Sequence, residues 1–219
     1  MLSQLTNSAV SNPIDIPFSV PQGSVAGPVL FNCYSSTLAE AISPTITSPQ
    51  QVNIIGYADD HSLYTNFRSG NTTEEQHAAY ALQNTLSSVK TWMTENKLQM
   101  NDAKTEVIVF KSQFYNNKTG INSILVGDAT VDVVDSVKLL GVKLDTNMSL
   151  KSHIAEKCGI ASGNLNKIRR LHRFLDQESC KSVVLGLVIS HIDYCNATLL
   201  GIPTSTLLAL QSILNQAAQ

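Results

Sequence analysis

The sequence predicts an α+β fold in which strands and helices are mixed up to about residue 146 and only helices follow. Strand-like runs at residues 52–56 and 61–64 flank a short acidic turn, which is typical of a β-hairpin. A second hairpin pattern surrounds Gly127-Asp128. After Asp145 the apolar residues change to a spacing of three and four, which indicates helices.

The first 50 residues predict one helix. Residues 1–16 are polar and loop-like, with a weak strand pattern over residues 14–20. Pro28 suits the first turn of a helix. This helix runs to about residue 42, and its apolar side carries Leu30, Tyr34, Leu38 and Ala41. Residues 43–51 contain two prolines and indicate a loop.

A long helix is predicted after the first hairpin. The Thr-Thr-Glu-Glu sequence at residues 72–75 has the form of a capping box, and Asn96 ends the helix. Its apolar stripe consists of Leu82, Leu86, Val89 and Met93. The pattern that follows predicts a strand at residues 106–110, a loop at 111–120, a hairpin at 123–126 and 129–134, and a strand at 137–145.

The helical pattern begins near Ser149 and predicts at least three helices. The first has an apolar stripe made of Leu150, Ile154, Cys158, Ala161, Leu165 and Ile168. Asp176 is placed to cap a second helix that continues through residues 188–192. Gly201-Ile202-Pro203 interrupts the chain, and Thr204 or Ser205 begins the last helix.

Composition limits function only weakly. The 219 residues are 43% hydrophobic and 15% charged, which is enough for the core of one or two domains. The net charge of −2 is unevenly distributed, because residues 1–150 carry eight Lys/Arg against thirteen Asp/Glu and residues 151–219 carry seven against four. A basic C-terminal part suits contact with phosphates, but a solvated helix face explains the charge equally well.

Secreted and membrane-spanning classes are not expected. Four cysteines without C-x-x-C spacing indicate reduced core thiols of an intracellular protein, in the nucleus or cytoplasm: Cys33, Cys158, Cys180 and Cys195. The N-terminus lacks the pattern of a signal peptide, and no apolar run approaches the length that spans a membrane. The oligomeric state is not indicated.

The adjacent carboxylates of Asp59 and Asp60 are the first candidates for a catalytic metal site. Mg²⁺ takes hard oxygen ligands and completes its shell with waters and phosphates, and two such ions can clamp both reacting oxygens in nucleotidyl transfer. Successive side chains on a strand point to opposite faces. We therefore expect both residues at the hairpin tip, with Asp59 as the main ligand. Ala58 is small enough to admit a nucleic-acid end, although an Asp-Asp pair is often only a turn.

Four further blocks accompany this motif, at residues 20–28, 98–106, 137–145 and 190–197. Together the five blocks resemble reverse transcriptases of non-LTR (LINE-type) retrotransposons over nearly the whole chain. The resemblance implies a partial polymerase palm, an antiparallel sheet with helices, at residues 1–146 and an all-helical thumb-like region at 147–219. It also implies an RNA template, a DNA primer and deoxynucleotides as partners, with Mg²⁺ or Mn²⁺ in the complete enzyme only.

The resemblance implies roles for residues around the acidic turn. Gln22, Gly23, Tyr57 and Ala58 would contact the incoming nucleotide and the template, although residues 21–23 also fit an ordinary turn before a helix. Lys104, which is expected to follow a strand end, would act as a general acid beside the departing pyrophosphate, although a loop lysine is normally solvated.

The resemblance also implies contacts with the primer. Residues 140–142 resemble the primer-grip hairpin, in which Leu140 and Gly141 would form the grip and glycine allows close approach of the backbone; a bulge glycine is the alternative. Five cations on or near one long helix would follow the phosphate backbone of the template–primer duplex: Lys157, Lys167, Arg169, Arg170 and Arg173.

One expected component does not appear in the sequence. Polymerases of this class need a further aspartate on an earlier palm strand, and Asp15 is too close to the block at residues 20–28 to supply it. We therefore expect a portion of a reverse transcriptase that is inactive alone. The alternatives are a non-catalytic module that binds RNA or RNA–DNA duplex and a relic without a selected function.

Overall fold

In a computed structural model of the chain, residues 23–42, 51–112, 119–127 and 129–218 are described. They form helices and three two-stranded antiparallel sheets. The mixture of helix and antiparallel strand agrees with the predicted α+β class. The strand pattern at residues 14–20 and Gln22 lie outside the described residues. Within the described ranges, no helix has both the length and the apolar character needed to cross a bilayer.

A small apolar core lies beneath the first hairpin. The elements around it are α1 (Gly27–Ser35), α2 (Leu38–Ile42), β1 (Asn53–Tyr57), β2 (Asp60–Tyr64) and α3 (Thr72–Glu95). The core buries Leu38, Ile42, Val89 and Trp92. Ile54 and Leu63, which face each other across the hairpin, pack against this core, so one face of the hairpin is anchored.

The helix predicted over residues 28–42 divides into α1 and α2. The Ser35 hydroxyl donates to the Phe31 carbonyl (2.9 Å), and the Ser36 hydroxyl donates to the Cys33 carbonyl (2.8 Å). Serine side chains that bond to the preceding turn compete with the backbone bonds of a helix. Since α1 has no buried residue, only the α2 half of the predicted apolar side enters the core.

Helix α3 begins one residue earlier than the predicted capping box implies. Its N-cap is Asn71, whose Oδ1 accepts from the Glu74 N–H (3.2 Å) and whose Nδ2 donates to Glu74 Oε1 (3.0 Å). Glu75, which the prediction used as a cap, is buried and accepts the Gly120 N–H at 2.8 Å. The predicted end is confirmed, because Asn96 follows the last helical residue.

Two further hairpins follow: β3 (Ser123–Val126) with β4 (Ala129–Asp132), and β5 (Ser136–Leu139) with β6 (Val142–Asp145). The β3–β4 hairpin confirms the one predicted at residues 123–126 and 129–134. The second replaces the single strand predicted at residues 137–145, because Leu140 and Gly141 have φ of 46° and 81°. Positive φ at both central residues is what a tight type I′ turn requires.

The strand predicted at residues 106–110 is wrong. Only Val107 of this segment forms a β-bridge, which is an isolated parallel bridge with Val133. The Val107 carbonyl accepts the Val134 N–H at 2.8 Å. The segment has the residue types of a strand but does not find a continuous partner among the described residues.

The buried stripe of α3 is shifted from the predicted one. Ala78, Ala81, Thr85, Val89 and Trp92 are buried, whereas Leu82, Leu86 and Met93 are only partly so. Helix α3 contacts both α2 and β3. The alanines let these neighbours approach closely, and the larger side chains then fill the space on either side.

The region after residue 150 is helical, as predicted. Its elements are α4 (Lys151–Leu171), a 3₁₀ turn (His172–Phe174), α5 (Gln177–Val184), a π-helical turn (Leu185–Ile189), α6 (Ser190–Asp193), a 3₁₀ turn (Asn196–Leu199) and α7 (Thr204–Ala217). Asp176 caps α5, since its Oδ1 accepts the Ser179 N–H at 2.7 Å. The shared core buries Ile154, Ala161, Leu165, Ile168, Val188, Ile192, Leu210 and Ile213.

The four cysteines are free thiols, but only two are in the core. Cys158 and Cys180 pack against the helical core, and burial raises the pKa of the Cys158 thiol. Cys33 and Cys195 are exposed, so the expectation of four core thiols is wrong for this pair. Cys33 lies on α1, which has no buried residue, and Cys195 lies in the turn after α6.

Polar contacts join β6 to the start of α4. The buried His153 ring accepts the Lys143 N–H at Nδ1 (3.2 Å). Asp145 accepts the Ser149 N–H (2.9 Å) and the Ser149 hydroxyl (3.0 Å). Burial of the Asp145 carboxyl opposes ionisation, but these hydrogen bonds and that of the Asn147 N–H hold its pKa below the ordinary value.

We predict that protonation of His153 weakens these contacts between β6 and α4. Burial, and then the nearby charge of Lys157, lower the pKa of His153 below its ordinary value. The unfolded chain takes up the proton near pH 6.5, so the contribution to stability is complete above that pH and is lost as pH falls toward the folded-state pKa. Each unit of lowering corresponds to about 1.4 kcal/mol.

The measurement is urea unfolding at pH 7.5 and pH 5.5. The wild type should have a lower free energy of unfolding at pH 5.5 than at pH 7.5. His153→Asn keeps an acceptor near the Nδ1 position without titrating, so its free energy of unfolding should fall less between the two pH values. Equal losses in both proteins would contradict the assignment to His153.

Candidate functional site

The acidic turn of the first hairpin is displaced by one residue from its predicted position. Tyr57 pairs with Asp60, so Ala58 and Asp59 form the turn and Asp60 is the first residue of β2. Ala58 has φ of 52°, the positive value that tight hairpin turns require at their first central position. The prediction that Asp59 and Asp60 together form the tip is therefore wrong in register, although both lie at this end of the hairpin.

Strand alternation decides which way each side chain faces. Ile54 and Leu63 lie on the face that packs on the core. Tyr57 and Asp60 form a cross-strand pair on the opposite face, which is open to solvent. Asp59 lies between them in the turn and is also exposed. Both carboxylates are thus accessible on a rigidly anchored hairpin.

His61 supports the turn, a role that its residue type and position in the sequence did not indicate. In its Nδ1-protonated form the ring donates to the Asp59 carbonyl at 3.1 Å. The ring lies against Gly56, where an added Cβ would come within 3.1 Å of His61 Cδ2. Any larger residue at position 56 would therefore displace the ring. The cross-strand position of the two residues is the only signal that could have indicated this contact.

The carboxylates of Asp59 and Asp60 are the type of ligand that a divalent cation binds, but two carboxylates do not complete its coordination shell. Their oxygens are the hard ligands that Mg²⁺ takes. Among the residues that the structure describes, no group of three or more His, Cys, Asp or Glu side chains is placed to hold a metal ion. A metal ion held by Asp59 and Asp60 would need further ligands.

The turn of the third hairpin contacts the helical region through Tyr194. The Tyr194 hydroxyl donates to the Leu140 carbonyl at 2.7 Å. An added Cβ on Gly141 would lie 3.2 Å from Tyr194 Cε1, so the ring rests against bare backbone. Tyr194 belongs to the block at residues 190–197, but the sequence pattern of that block did not indicate this contact.

Tyr194 also contacts helix α4. The Lys157 ammonium lies 5.4 Å from the centroid of its ring, within the range of a cation–π contact. The pKa of Tyr194 is raised by a hydrogen bond with the Cys195 side chain and by the charge of Cys195, with smaller contributions from burial and from Tyr57. The structure therefore brings Lys157 and the Leu140-Gly141 turn to one residue.

Lys104 lies in a different setting from the predicted one. It ends a 3₁₀ turn (Asp102–Lys104) and does not follow a strand. The turn is held by an ion pair of Asp102 Oδ2 with Lys90 Nζ on α3 (2.7 Å). Lys104 itself is exposed, and among the ion pairs of the described residues none joins it to Asp59 or Asp60.

The five predicted phosphate contacts do not share one face. Helical residues are about 100° apart, so Lys167 and Arg170 lie on the side of α4 opposite its apolar stripe, whereas Lys157 and Arg169 flank that stripe. Arg169 Nη2 donates to Gln216 Oε1 at 3.4 Å. Arg173, beyond the end of α4, lies over the Phe174 ring at 4.7 Å.

Gly23 has φ of 85° and nothing lies within 4 Å of an added Cβ. Its conformation suits a tight turn before α1. The expected partner in that turn, Gln22, lies outside the described residues.

Comparison with known proteins identifies the family. The profile of the family described as "Reverse transcriptase (RNA-dependent DNA polymerase)" matches residues 7–144. The chain is 29% identical over 149 residues to the probable RNA-directed DNA polymerase from transposon BS of Drosophila melanogaster, covering 66% of this chain and 16% of that protein. It is 27% identical over 140 residues to the RNA-directed DNA polymerase from mobile element jockey of the same species, covering 64% and 14%.

The probable RNA-directed DNA polymerase from transposon X-element of Drosophila melanogaster is 24% identical over 150 residues, covering 68% of this chain and 15% of that protein. The chain thus spans about one sixth of the length of these curated relatives. No solved structure matches it. Since the family profile covers more than half of the sequence, and the relatives are polymerases of mobile elements, the chain belongs to the reverse transcriptase family, in its non-LTR, LINE-type branch.

Proposed function

We propose that this chain is the portion of a non-LTR retrotransposon reverse transcriptase that holds the template–primer duplex, and that it supplies two metal ligands to the complete enzyme. One observation carries the proposal: the Leu140-Gly141 turn is joined through Tyr194 to helix α4, since the Tyr194 hydroxyl bonds the Leu140 carbonyl and the Tyr194 ring lies 5.4 Å from Lys157 Nζ. The proposed primer-contacting turn and one of the proposed phosphate-contacting cations therefore meet at the same residue.

In this proposal residues 1–146 are the palm and residues 147–219 are the thumb-like region. Enzymes of the family use divalent metal ions, and we assign Mg²⁺ because the available ligands are carboxylates. When bound, the metal would neutralise phosphate charge and stabilise both reacting oxygens. Asp59 and Asp60 would hold it, and further ligands would come from elsewhere in the longer protein.

The remaining assignments follow the family resemblance. Gln22 and Gly23, with Tyr57 and Ala58, would contact the incoming deoxynucleotide and the RNA template. Lys104, exposed on its 3₁₀ turn, would donate a proton to the departing pyrophosphate once the complete site brings the two together. The proposal places the protein inside the cell, where an RNA template is available.

The exposed cations of α4 would contact the phosphate backbone. Lys167 and Arg170 lie on the open side of the helix, whereas Arg169 flanks the apolar stripe and is bonded to Gln216. An RNA-containing duplex has A-like geometry and is recognised largely through its shape and backbone. Affinity that depends on phosphate contacts falls as salt rises, because binding releases counterions.

We predict salt-dependent binding of a template–primer duplex, with a smaller salt slope in Arg169→Ala/Arg170→Ala. Each lost phosphate contact should reduce the log–log slope by about 0.9 or somewhat less. Fluorescence anisotropy with a labelled RNA–DNA duplex between 50 and 200 mM salt, about the range over which such slopes are resolved, measures it. Arg68→Ala/Lys97→Ala removes the same charge at exposed sites outside α4 and is the matched control.

If both double variants lower the slope equally, the effect is one of net charge, and the α4 cations belong to a solvated face. If the wild type does not bind duplex at all, the chain is a relic with respect to this activity.

We predict that the 219-residue chain does not extend a primer on an RNA template with Mg²⁺ or Mn²⁺. Two adjacent carboxylates are too few to hold two Mg²⁺ ions, which require near-octahedral ligands, and an unpositioned nucleotide reacts slowly. Wild type and Asp59→Asn should give the same background in a primer-extension assay. The opposite result, extension by the wild type and none by Asp59→Asn, would mean that residues of this chain complete the site.

A further inference from the structure

Tyr194 links the helical region to the third hairpin across a long span of sequence. It follows α6, and the next residue, Cys195, has φ of 55°. Its hydroxyl reaches the Leu140 carbonyl, 54 residues earlier in the chain, with a hydrogen bond of 2.7 Å. The contact is made to the turn of the hairpin and not to its strands.

The ring of Tyr194 and the backbone at Gly141 are matched in shape. An added Cβ on Gly141 would lie 3.2 Å from Tyr194 Cε1 and 3.4 Å from its hydroxyl oxygen. Gly141 also has φ of 81°, a conformation that side chains other than glycine rarely adopt. The turn therefore accepts Tyr194 because position 141 lacks a side chain.

The same ring lies beside a cation. Lys157 Nζ is 5.4 Å from the ring centroid. Both side chains are partly open to solvent, since Tyr194 is 48% exposed and Lys157 is intermediate. We call the group of Leu140, Gly141, Lys157 and Tyr194 the Tyr194 platform.

We propose that Tyr194 is a positioning residue that orients the Leu140-Gly141 turn so that the Tyr194 platform receives the sugar–phosphate backbone of the primer strand. This inference rests on the proposed function. The chemistry of the platform suits an anion: Lys157 supplies positive charge, and phosphate contacts are made by such side chains and by backbone N–H groups.

The hydroxyl of Tyr194 has a specific part in this recognition. The Tyr194 O–H donates to the Leu140 carbonyl, which fixes the direction of this peptide group and so the orientation of the turn. Loss of the hydroxyl should therefore affect duplex binding more than folding, because Tyr194 is not part of the buried helical core.

The test is Tyr194→Phe in the full 219-residue chain, which removes the hydroxyl and keeps the ring. Dissociation constants for an RNA–DNA template–primer should rise by about two- to tenfold, the range for one net hydrogen bond. The salt slope should stay unchanged, because no charge is lost and the phenyl ring of the variant keeps the Lys157 contact, and the thermal midpoint should fall by only about 2–4 °C, the effect of one hydrogen bond in a chain of this size. Tyr80→Phe, at an exposed tyrosine on α3, is the matched control and should bind as the wild type does.

Two further variants test other residues of the Tyr194 platform. Gly141→Ala introduces the Cβ that meets the Tyr194 ring, and its effect combined with Tyr194→Phe should be less than additive. Lys157→Gln removes a cation, so it should lower the salt slope by about 0.9, in contrast to Tyr194→Phe.

Hydrogen exchange gives a readout that does not depend on duplex. In the free chain, the amides of Gly141 and Val142 should exchange faster in Tyr194→Phe than in the wild type, and duplex added near the wild-type dissociation constant should protect them more in the wild type. Wild-type duplex binding with an unchanged dissociation constant in Tyr194→Phe would overturn this inference and leave the proposed function intact. Absence of wild-type binding would instead overturn the proposed function. A larger fall of the thermal midpoint together with a reduced salt slope in Tyr194→Phe would reduce Tyr194 to a structural role.

Discussion

Helix α4 is constrained by two sets of neighbours, and this constraint determines how the strands meet the helical region. Its first turn is bound to β6 through the His153–Lys143 hydrogen bond, while its apolar stripe packs in the core that it shares with α7 and the segment before α6. A rotation of α4 would break one set of contacts to improve the other. The helix therefore has one orientation, which also places Lys157 beside Tyr194.

Both exposed hairpin turns hold a residue with a Cβ at positive φ in their first central position, Ala58 (52°) and Leu140 (46°). A left-handed conformation at such a residue costs on the order of 1 kcal/mol or more, whereas Gly141, the second residue of its turn, adopts positive φ without steric cost. The strain at Ala58 is offset by local contacts, since the hairpin is anchored by Ile54 and Leu63 and its turn is held by His61. Strain retained at an exposed acidic turn is consistent with a functional site.

Much of the fold could be predicted because local patterns matched the final packing. The hairpins around residues 58–59 and 127–128, the end of α3 at Asn96 and the cap of α5 at Asp176 all depend on neighbouring residues. Predictions failed where competing local bonds or distant partners decided the outcome. The hydroxyls of Ser35 and Ser36 divide one predicted helix, and the segment around Val107 lacks a continuous pairing partner among the described residues.

The sequence by itself determined the family, the order of the blocks and the acidic turn with its two carboxylates, because these are properties of residue type and spacing. Only the tertiary structure decided the register that places Asp60 opposite Tyr57, the separation of the α4 cations onto different sides, and the contact of Tyr194 with the Leu140-Gly141 turn. The physical reason is that a hydrogen bond across 54 residues depends on how α4, α6 and β6 pack, and no local pattern carries that information.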